Sequence, residues 1–400
     1  MKLLFLGLMY DREKEREYLK KSKIGMQAAA NTYQWALLDG FIENQADITL
    51  FNTLPVGTFP KYYNELAISS RKWKYRDIDC EEIGFWNLLF FKQLSRKRNY
   101  IKKIKSWIEN NGGEKTIVSY SLYLPFLKAL KWVKKTHPEV KASVVVTDLY
   151  GKNGIPTKSR IKAFLMQSYQ KRIDRLTKYI DSFVILTEHM KEPLSIGERP
   201  YIVVEGINGL REENISVEKP DKKAILYTGT LNYQFGINTL LDAFSSIEDD
   251  NYELWICGDG EAKEKIISLS KEDGRIKFFG FLPKTEILKL QRQATVLVNP
   301  RKNEGEYTKY SFPSKTIEYL ASGTPLVAYE LDGIPDEYDE YLHYVENDSV
   351  EALKNKITEV CEQSEEERNL FGKRAQQFVF CKKNAKKQTE RIINLIDHMA

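Results

Sequence analysis

The sequence contains few of the residues on which disulfide frameworks and metal sites depend. Its four cysteines, at positions 80, 257, 361 and 381 of 400, are widely scattered and never adopt a CxxC spacing. This favours a reduced, cytoplasmic chain over a disulfide-stapled secreted one. Only four histidines occur, and no two of them have the spacing of metal ligands, so we expect no metal site.

Long apolar runs are also missing. No uninterrupted stretch is long enough for a transmembrane helix. The apolar segment 3–9 is short and is followed by charged residues rather than by a cleavage site of small residues, which favours the first strand of a domain over a signal peptide. We find no internal repeat and no low-complexity segment. The length suits two domains of ordinary size.

Charge is divided unevenly along the chain. Residues 1–200 carry 35 Lys and Arg against 21 Asp and Glu, a net charge of +14, whereas residues 201–400 carry 26 against 35, a net charge of −9. Segment 92–105 has seven cations and no acid, and segment 152–178 has eight cations and one acid. Apolar residues adjoin both, a combination that an anionic membrane surface attracts. Solvated helix faces remain the alternative, and the absence of a reader motif argues against a nucleic-acid partner.

Strand and helix patterns alternate throughout, which predicts an α/β fold. In the second half, apolar strands end at turns that contain Gly229, Gly258 and Gly280, and helix-length segments separate them, as in a doubly wound parallel sheet. The first half alternates in the same way. Its strand candidates are Lys2–Gly7, Asp47–Phe51, Thr116–Ser119, Ser143–Thr147, Ser182–Leu186 and Tyr201–Val204.

A polar segment rich in turn formers, 206–220, predicts the border between two domains. We therefore expect an N-terminal domain over 1–205, a C-terminal domain over 206–380 and a C-terminal helix over 381–400. A ligand cleft is expected at this border.

The segment Val298–Ala328 has the order strand, polar loop, short helix and strand, which is typical of a ligand site. Pro313 can occupy the first turn of the helix, where a missing N–H costs nothing, and Gly323 with Pro325 can end it. The free N–H groups and the positive end of the helix dipole would then favour an anion in the preceding loop.

That loop supplies cations and a carboxylate. Arg301, Lys309 and Lys315 together would make a phosphate cradle. Glu318, one turn into the helix, can accept hydrogen bonds from a pair of hydroxyls such as those of a ribose. An ordinary buried helix with solvated charges around it is the alternative interpretation of this segment.

In order and spacing, residues 224–328 together resemble the nucleotide-sugar-binding half of the GT-B glycosyltransferases, specifically glycosyltransferase family 4. The motif FPSK at 312–315 and EYLASGTP at 318–325 are similar to those of bacterial capsular and exopolysaccharide glycosyltransferases. The resemblance implies two Rossmann-like domains facing across a cleft, and retaining sugar transfer from a nucleotide diphosphate sugar without a metal or other cofactor. It assigns donor binding to Gly25, Gly229, Thr230, Gly258, Lys309, Tyr310, Ser311, Phe312, Pro313, Ser314 and Glu318.

The chain departs from the family pattern at three positions. The family usually has two glutamates eight positions apart; Glu318 matches the second, but Tyr310 stands at the first. The family's arginine and lysine after the first strand of this half are replaced by Thr230 and Phe235. A departing nucleotide diphosphate needs its charge stabilised, so other cations must act if the protein catalyses. The available substitutes are Arg301, Lys309 and Lys315.

Two positions in the first half are candidates for the same site. Asp148 follows the predicted strand Ser143–Thr147, where the family often has a histidine or an acid near the reacting sugar. Capping of the following turn is an equally open interpretation. Gly25 lies in a loop before a predicted helix, and in the family that loop faces the donor phosphates and the acceptor.

These observations predict a cytoplasmic glycosyltransferase, peripheral on the inner face of the cell membrane, that acts on a glycan or a polyprenyl-diphosphate-linked acceptor. Lys315 and Arg301 would stabilise the leaving diphosphate, Glu318 would hold the ribose and Asp148 would orient the acceptor hydroxyl. A catalytically silent GT-B partner of another transferase is the first alternative. A GT-B nucleotide-sugar epimerase or phosphorylase is the second, although no attachment lysine for pyridoxal phosphate is recognisable.

Overall fold

The computed structural model describes residues 1–151, 160–210 and 217–398, with the side chains of 160–162 excepted. Contacts within the chain define two compact units, Met1–Gly209 with Ala385–Ala400, and Leu210–Asn384. The polar segment 206–220, predicted as the domain border, lies partly outside the described residues. Part of the basic segment 152–178 does as well.

The first unit is built on a large, mostly parallel sheet. The strands of this unit are β1 (Lys2–Gly7), β2 (Asp47–Asn52), β3 (Ala67–Ile68), β4 (Arg71–Tyr75), β5 (Ile78–Glu82), β6 (Phe85–Trp86), β7 (Lys115–Tyr120), β8 (Lys141–Val146), β9 (Ser182–Ile185) and β10 (Tyr201–Val203). Within the described residues, eight of these strands form the large sheet in the order β10-β9-β8-β7-β1-β2-β5-β4, in which β4 alone runs antiparallel to its neighbour. Strands β3 and β6 form a separate antiparallel pair. The six predicted strands are confirmed.

Helices cover this sheet. They are α1 (Glu15–Lys21), α2 (Ala28–Glu43), α3 (Phe91–Asn110), α4 (Leu124–Thr136) and α5 (Arg160–Thr177), with 3₁₀ turns at Arg12–Lys14 and Glu188–Met190. None of the helices in the described part of the chain combines the length and the apolar character that crossing a bilayer requires.

The second unit is the doubly wound parallel domain that the sequence predicts. Its strands are β11 (Lys223–Thr230), β12 (Tyr252–Asp259), β13 (Ile276–Gly280), β14 (Val296–Asn299), β15 (Leu326–Ala328) and β16 (His343–Tyr344). They are ordered β13-β12-β11-β14-β15-β16, and all neighbouring pairs are parallel. The strand order therefore reverses between β11 and β14, which is where sheets of this type bind ligands.

The helices of the second unit are α6 (Ile237–Ser245), α7 (Lys263–Glu272), α8 (Lys284–Gln293), α9 (Lys315–Ser322), α10 (Val350–Glu362) and α11 (Glu365–Lys382), with 3₁₀ turns at Tyr233–Phe235, Glu306–Tyr310 and Asp336–Tyr341. Helix α6 buries one apolar face against the sheet, where Ile237, Leu240 and Phe244 are completely buried.

One boundary differs from the prediction. Helix α9 begins at Lys315, so Pro313 lies before the helix rather than in its first turn. The N–H of Thr316 donates to the Pro313 carbonyl oxygen at 2.8 Å, which makes Pro313 part of the turn that leads into the helix. Gly323 ends α9 in the left-handed region, with φ of 78°, as predicted.

The last helix, α12 (Ala385–Asp397), packs on α2 of the first unit. Gly40 of α2 permits this contact, because a Cβ at that position would come within 2.2 Å of the Ala385 carbonyl oxygen. Asn44 strengthens it by donating to the Lys386 carbonyl and to the Thr389 hydroxyl, each at 2.8 Å.

The basic segment 92–105 does not form one solvated face, which corrects the simplest interpretation of its charges. Lys92 and Arg96 are buried, with 9% and 3% of their surface exposed. The Arg96 guanidinium lies 3.7 Å from the Phe85 ring centroid and donates to the Leu54 carbonyl at 2.6 Å. Lys92 donates to the Val56 carbonyl. These two cations belong to the interior of the unit, and only the others can meet an external anion.

Lys92 makes the stability of the protein depend on pH. Burial, reinforced by the charge of Arg96, lowers the pKa of Lys92 from 10.5 to about 7. Between these values the unfolded state binds the proton and the folded state does not, so the free energy of unfolding rises with pH, by up to ~1.4 kcal/mol per pH unit from this group. We expect Lys92→Met to reduce that slope between pH 7 and 10. Denaturant unfolding at several pH values measures it, and equal slopes in both proteins would contradict the role of Lys92.

Candidate functional site

Strands β11 and β12 end side by side at the carboxyl edge of the second sheet. In their register Gly229 pairs with Gly258, and Thr230 pairs with Asp259. Gly258 has a φ of 144°, and a Cβ there would come within 1.8 Å of the Gly229 carbonyl oxygen. Glycine is therefore required for the two strands to meet so closely, as expected where backbone must approach a ligand.

The turn after β11 closes against the segment after β14. Gly236 begins α6 with a φ of 80°, and a Cβ at this position would lie 1.8 Å from the Pro300 carbonyl oxygen. The close approach of the Gly236 and Pro300 backbones joins the two loops that flank the reversal of strand order. Residues on both loops consequently share one small region at the carboxyl edge.

Arg301 lies between these loops. Its guanidinium carbon is 5.9 Å from the ring centroid of Phe235 and 5.0 Å from that of Tyr307. Its Nη2 donates to the Ser311 hydroxyl at 2.8 Å, and that hydroxyl donates to the Tyr307 carbonyl at 3.1 Å. The structure thus brings the predicted cation Arg301 to Phe235, the position at which the resembled family has a lysine.

The charge of Arg301 is poorly compensated. Only 8% of its surface is exposed, and its Nε has no hydrogen-bond acceptor. Among residues 1–151, 160–210 and 217–398, no carboxylate forms an ion pair with it. Burial lowers the pKa of Arg301, with Tyr307 acting in the opposite direction. A buried, unpaired guanidinium is costly, and a bound phosphate would supply the missing charge and acceptors.

Helix α9 presents a second charged group. The ammonium of Lys315, its first residue, donates to Glu318 Oε1 at 2.7 Å. Gln291 Nε2 donates to the same oxygen at 2.7 Å. Burial alone would raise the pKa of Glu318, but the charge and hydrogen bond of Lys315 and the hydrogen bond of Gln291 outweigh it, and the pKa is lowered. Glu318 is thus held as a carboxylate beside Lys315.

The position of α9 is fixed by a residue that the sequence analysis did not select. The Tyr319 hydroxyl accepts from the Thr228 N–H at 2.8 Å and donates to the Thr228 carbonyl at 2.9 Å, which ties α9 to β11. Burial raises the pKa of the Cys257 thiol on β12 to about 11, and the charge of Lys315 partly opposes this rise. The signal for Tyr319 was weak, since a tyrosine on an apolar helix face usually indicates core packing alone.

Other predicted residues are distributed along the loop between β14 and α9. The Lys309 ammonium lies 3.9 Å from the Asp332 carboxylate. The Tyr310 hydroxyl donates to Glu306 Oε1 at 3.0 Å. A carboxylate, Glu306, therefore stands beside position 310, where the resembled family has a glutamate.

The remaining donor-binding candidates differ in exposure. Phe312 is 7% exposed, and its ring centroid lies 5.4 Å from that of Tyr338, so it contributes to the core beneath the loop. Pro313 is half-buried, whereas Ser314 before α9 and Thr230 at the end of β11 are exposed. Of these four, only Ser314 and Thr230 present an exposed side chain.

We expect Glu318→Gln to weaken nucleotide binding about tenfold, because a neutral amide accepts hydrogen bonds from hydroxyls less strongly than a carboxylate does. The expected effect falls on affinity, since a ribose contact is present equally in the ground and transition states. Calorimetric titration with a nucleoside diphosphate measures it. An unchanged dissociation constant would remove Glu318 from the nucleotide site.

In the first unit, Asp148 lies at the carboxyl edge of the sheet, two residues after β8. It lines a pocket of about 800 Å³ together with Gln27, Ser121, Tyr169 and Arg172. The carboxylate is accessible from the pocket, yet its protein surroundings remove enough water to raise the pKa of Asp148, which the Thr147 hydroxyl partly opposes. A carboxylate with a raised pKa in a polar pocket is suited to accept a hydrogen bond from a hydroxyl ligand.

Gly25 lies in the loop before α2, as predicted. A Cβ at Gly25 would meet nothing within 4 Å, so the fold of the first unit does not itself require glycine there. Gln27, two residues later, lines the pocket of Asp148. The structure thus brings this loop to the pocket of Asp148.

In the part of the chain that the structure describes, no cluster of three His, Cys, Asp or Glu side chains could hold a metal ion.

Comparison with known proteins adds to this geometry. Residues 210–378 match the family described as glycosyl transferases group 1. An uncharacterized glycosyltransferase of Methanocaldococcus jannaschii is 33% identical over 118 residues, which cover 28% of this chain and 29% of that protein. The sequence match thus spans less than a third of the curated relative.

Solved structures resemble the chain over its whole length. Sucrose-phosphate synthase from Thermosynechococcus elongatus has a TM-score of 0.63 at 15% identity and covers 100% of this chain and 99% of its own. The Anabaena protein HepE in complex with UDP has a TM-score of 0.62 at 12% identity, with 100% of both chains covered. At these identities the likeness shows the fold. The second unit carries a glycosyl transferases group 1 domain, and the whole chain has the GT-B fold of two Rossmann-like domains.

Proposed function

We propose that the protein is a glycosyltransferase of family 4 that transfers a sugar from a nucleotide diphosphate sugar with retention of anomeric configuration and without a metal. The observation that carries this proposal is the buried and unpaired Arg301 at the reversal of strand order. A nucleotide diphosphate would supply the anion that this position lacks. The solved relative bound to UDP agrees with a ligand of this class.

The proposed donor site uses three groups of the second unit. Arg301 binds the diphosphate, Lys315 and the N-terminus of α9 stabilise the charge that develops on it, and Glu318 accepts hydrogen bonds from the ribose. Lys315 and Glu318 contact each other in the structure. Donor binding would therefore divide this pair, with the ribose hydroxyls replacing the ammonium at Glu318 and the diphosphate replacing the carboxylate at Lys315.

Transfer requires little further chemistry from the protein. The bond between the anomeric carbon and the diphosphate oxygen breaks, and its electron pair leaves with the diphosphate. The acceptor hydroxyl forms the new bond on the same face, and its proton passes to the departing phosphate oxygen. Asp148 orients that hydroxyl from the pocket in the first unit, and its raised pKa strengthens it as an acceptor.

Incubation with a panel of nucleotide diphosphate sugars and a polyprenyl-diphosphate-linked glycan tests the proposal. We expect one donor to be consumed, nucleoside diphosphate to be released in equal amount, and NMR of the product to show the anomeric configuration of the donor. Activity should persist in EDTA. Tight binding of a nucleotide sugar without any turnover would instead favour the silent partner, which the residues Thr230, Phe235 and Tyr310 would permit.

The proposed acceptor is membrane-borne, and the proposed product belongs to cell-surface polysaccharide synthesis. One face of α3 is suited to contact a bilayer surface. Phe91, Leu94, Arg98, Lys102 and Lys105 recur at helical spacing, and we call them the outer stripe of α3. Phe91 and Leu94 are 62% and 59% exposed, and the three cations are also exposed. Exposed apolar residues continued by cations favour an anionic membrane surface on the inner face of the cell membrane.

We expect changing the three cations of the outer stripe to glutamine to abolish sedimentation with anionic vesicles at low salt, because each near-surface cation contributes on the order of 1 kcal/mol. Binding by the wild type should fade as salt is added. A matched control removes three exposed lysines of the second unit: Lys271, Lys289 and Lys373. Equal sedimentation with neutral and anionic vesicles would contradict membrane binding by charge.

A further inference from the structure

Helices α3, α4 and α5 enclose a groove of about 460 Å³ that is lined with cations. The cations come from separate parts of the sequence and converge only in the fold. One belongs to α3, three to α4 and two to α5. We call this the cation groove, and its cations are Lys97, Lys128, Lys131, Lys135, Arg172 and Arg175.

Among the described residues, no acid pairs with these cations. The lining of the groove contains no Asp or Glu. Throughout the described ranges of the chain, none of the six cations forms an ion pair, and residues 152–162, whose side chains lie outside those ranges, include no Asp or Glu in their sequence. Burial lowers the pKa of Lys128, and the nearby charges of Lys97 and Arg172 lower it further. Like charges held together without a counter-charge favour the binding of an anion.

The floor of the groove is apolar. Ile101, Leu124, Trp132 and Leu176 lie among the cations. A fully hydrated inorganic anion gains nothing from such a surface, whereas an anion attached to a hydrocarbon chain buries part of that chain against it. The combination of six cations and an apolar floor therefore matches a phosphate or diphosphate ester of a lipid alcohol.

The groove adjoins the pocket of Asp148. Arg172 lines both, so the two concavities share a wall within the first unit. The last turns of α5 contribute Arg175 and Leu176 to the groove, while Tyr169 and Ile173 contribute to the pocket. A single ligand can therefore have its charged group in the groove and its polar end in the pocket.

We propose that the cation groove binds the diphosphate of a lipid-linked acceptor, with the lipid chain on the apolar floor and the glycan directed to Asp148. This inference rests on the proposed function for the identity of the ligand as an acceptor. It adds a binding site for the acceptor's anionic group, separate from the donor site at Arg301. The groove is also separate from the outer stripe of α3, which is the proposed contact with the bilayer surface.

Calorimetric titration with geranyl diphosphate, a short and dispersed lipid diphosphate, tests the groove. We expect wild-type protein to bind it, and Lys128→Gln/Lys131→Gln to weaken binding at least about tenfold, because two charge-assisted contacts to phosphate are lost. The matched control Arg98→Gln/Lys102→Gln removes the same charge from the outer stripe and should bind as the wild type does. Inorganic pyrophosphate should bind more weakly than geranyl diphosphate, because it gains nothing from the apolar floor.

Two further arms separate the groove from the other proposed sites. Arg301→Met should leave geranyl diphosphate binding unchanged, whereas loss of binding in that variant alone would place the ligand in the donor site and overturn the inference. Lys128→Gln/Lys131→Gln should sediment with phosphatidylglycerol vesicles as the wild type does. Loss of sedimentation with unchanged geranyl diphosphate binding would assign the groove to the bilayer instead. None of these binding measurements requires sugar transfer. They therefore test the groove even if the protein proves not to transfer a sugar.

Discussion

Replacing Arg301 with methionine is expected to lower the rate of sugar transfer about a hundredfold or more, while the ligand-free protein becomes no less stable. Loss of a preorganised cation next to a developing diphosphate charge costs roughly 2 to 4 kcal/mol of barrier height. Among the residues that the structure describes, the same guanidinium is buried, its Nε has no acceptor and no carboxylate pairs with it. Methionine fills a similar space between Phe235 and Tyr307 without the cost of burying a charge.

The control for this variant is Lys302→Met, which removes a cation from the adjacent position. It should keep the wild-type rate, because Lys302 contributes to neither of the two aromatic contacts. Steady-state kinetics and thermal unfolding in the absence of ligand measure the two effects. A marked loss of ligand-free stability in Arg301→Met with an unchanged rate would make Arg301 a structural cation and remove it from the site.

Replacing Lys315 with alanine is expected to reduce the rate to a similar degree and to leave the fold intact. The expected loss is on the order of a hundredfold, since the ammonium would stabilise charge that develops only as the diphosphate departs. Helix α9 should persist, because Tyr319 ties it to Thr228 independently of Lys315. The loss should lie in kcat more than in KM.

An exposed lysine on the neighbouring helix, Lys289, provides the matched substitution for this test. Lys289→Ala removes one positive charge from the second unit without touching Glu318, and its rate should equal that of the wild type. Wild-type turnover by Lys315→Ala would exclude Lys315 from the mechanism. A loss confined to KM would reassign it to ground-state binding of the donor.

Much of the fold is predictable because the core strands carry a strong apolar signal. The six predicted strands of the first sheet and the β11–β14 region are short apolar segments between turns, and the structure confirms them. Strands β4 and β5 were not predicted. Their sequences, RKWKY and IDCEE, are rich in charge, and β4 alternates between exposed and half-buried positions at an edge of the sheet. Local apolarity does not reveal an edge strand whose pairing supplies its stability.

The candidate donor site could likewise be predicted only in part from the sequence. Loop and helix signals in the sequence were sufficient to select Arg301, Lys315 and Glu318. They could not reveal that Arg301 lies between Phe235 and Tyr307, because the contact depends on two loops that meet only where the strand order reverses. The cation groove was missed for the same reason. Its three lysines on α4 lie in a helix with a buried apolar face and gain significance only beside α3 and α5.

The most direct test of the proposed donor site is calorimetric titration of the protein with nucleoside diphosphates and with the corresponding nucleosides. We expect that at least one nucleoside diphosphate binds, that its nucleoside binds far more weakly, and that Arg301→Met abolishes the difference while Lys302→Met preserves it. Failure of every nucleoside diphosphate to bind, or equal binding by wild type and Arg301→Met, would contradict the claim that the buried guanidinium marks a nucleotide diphosphate site.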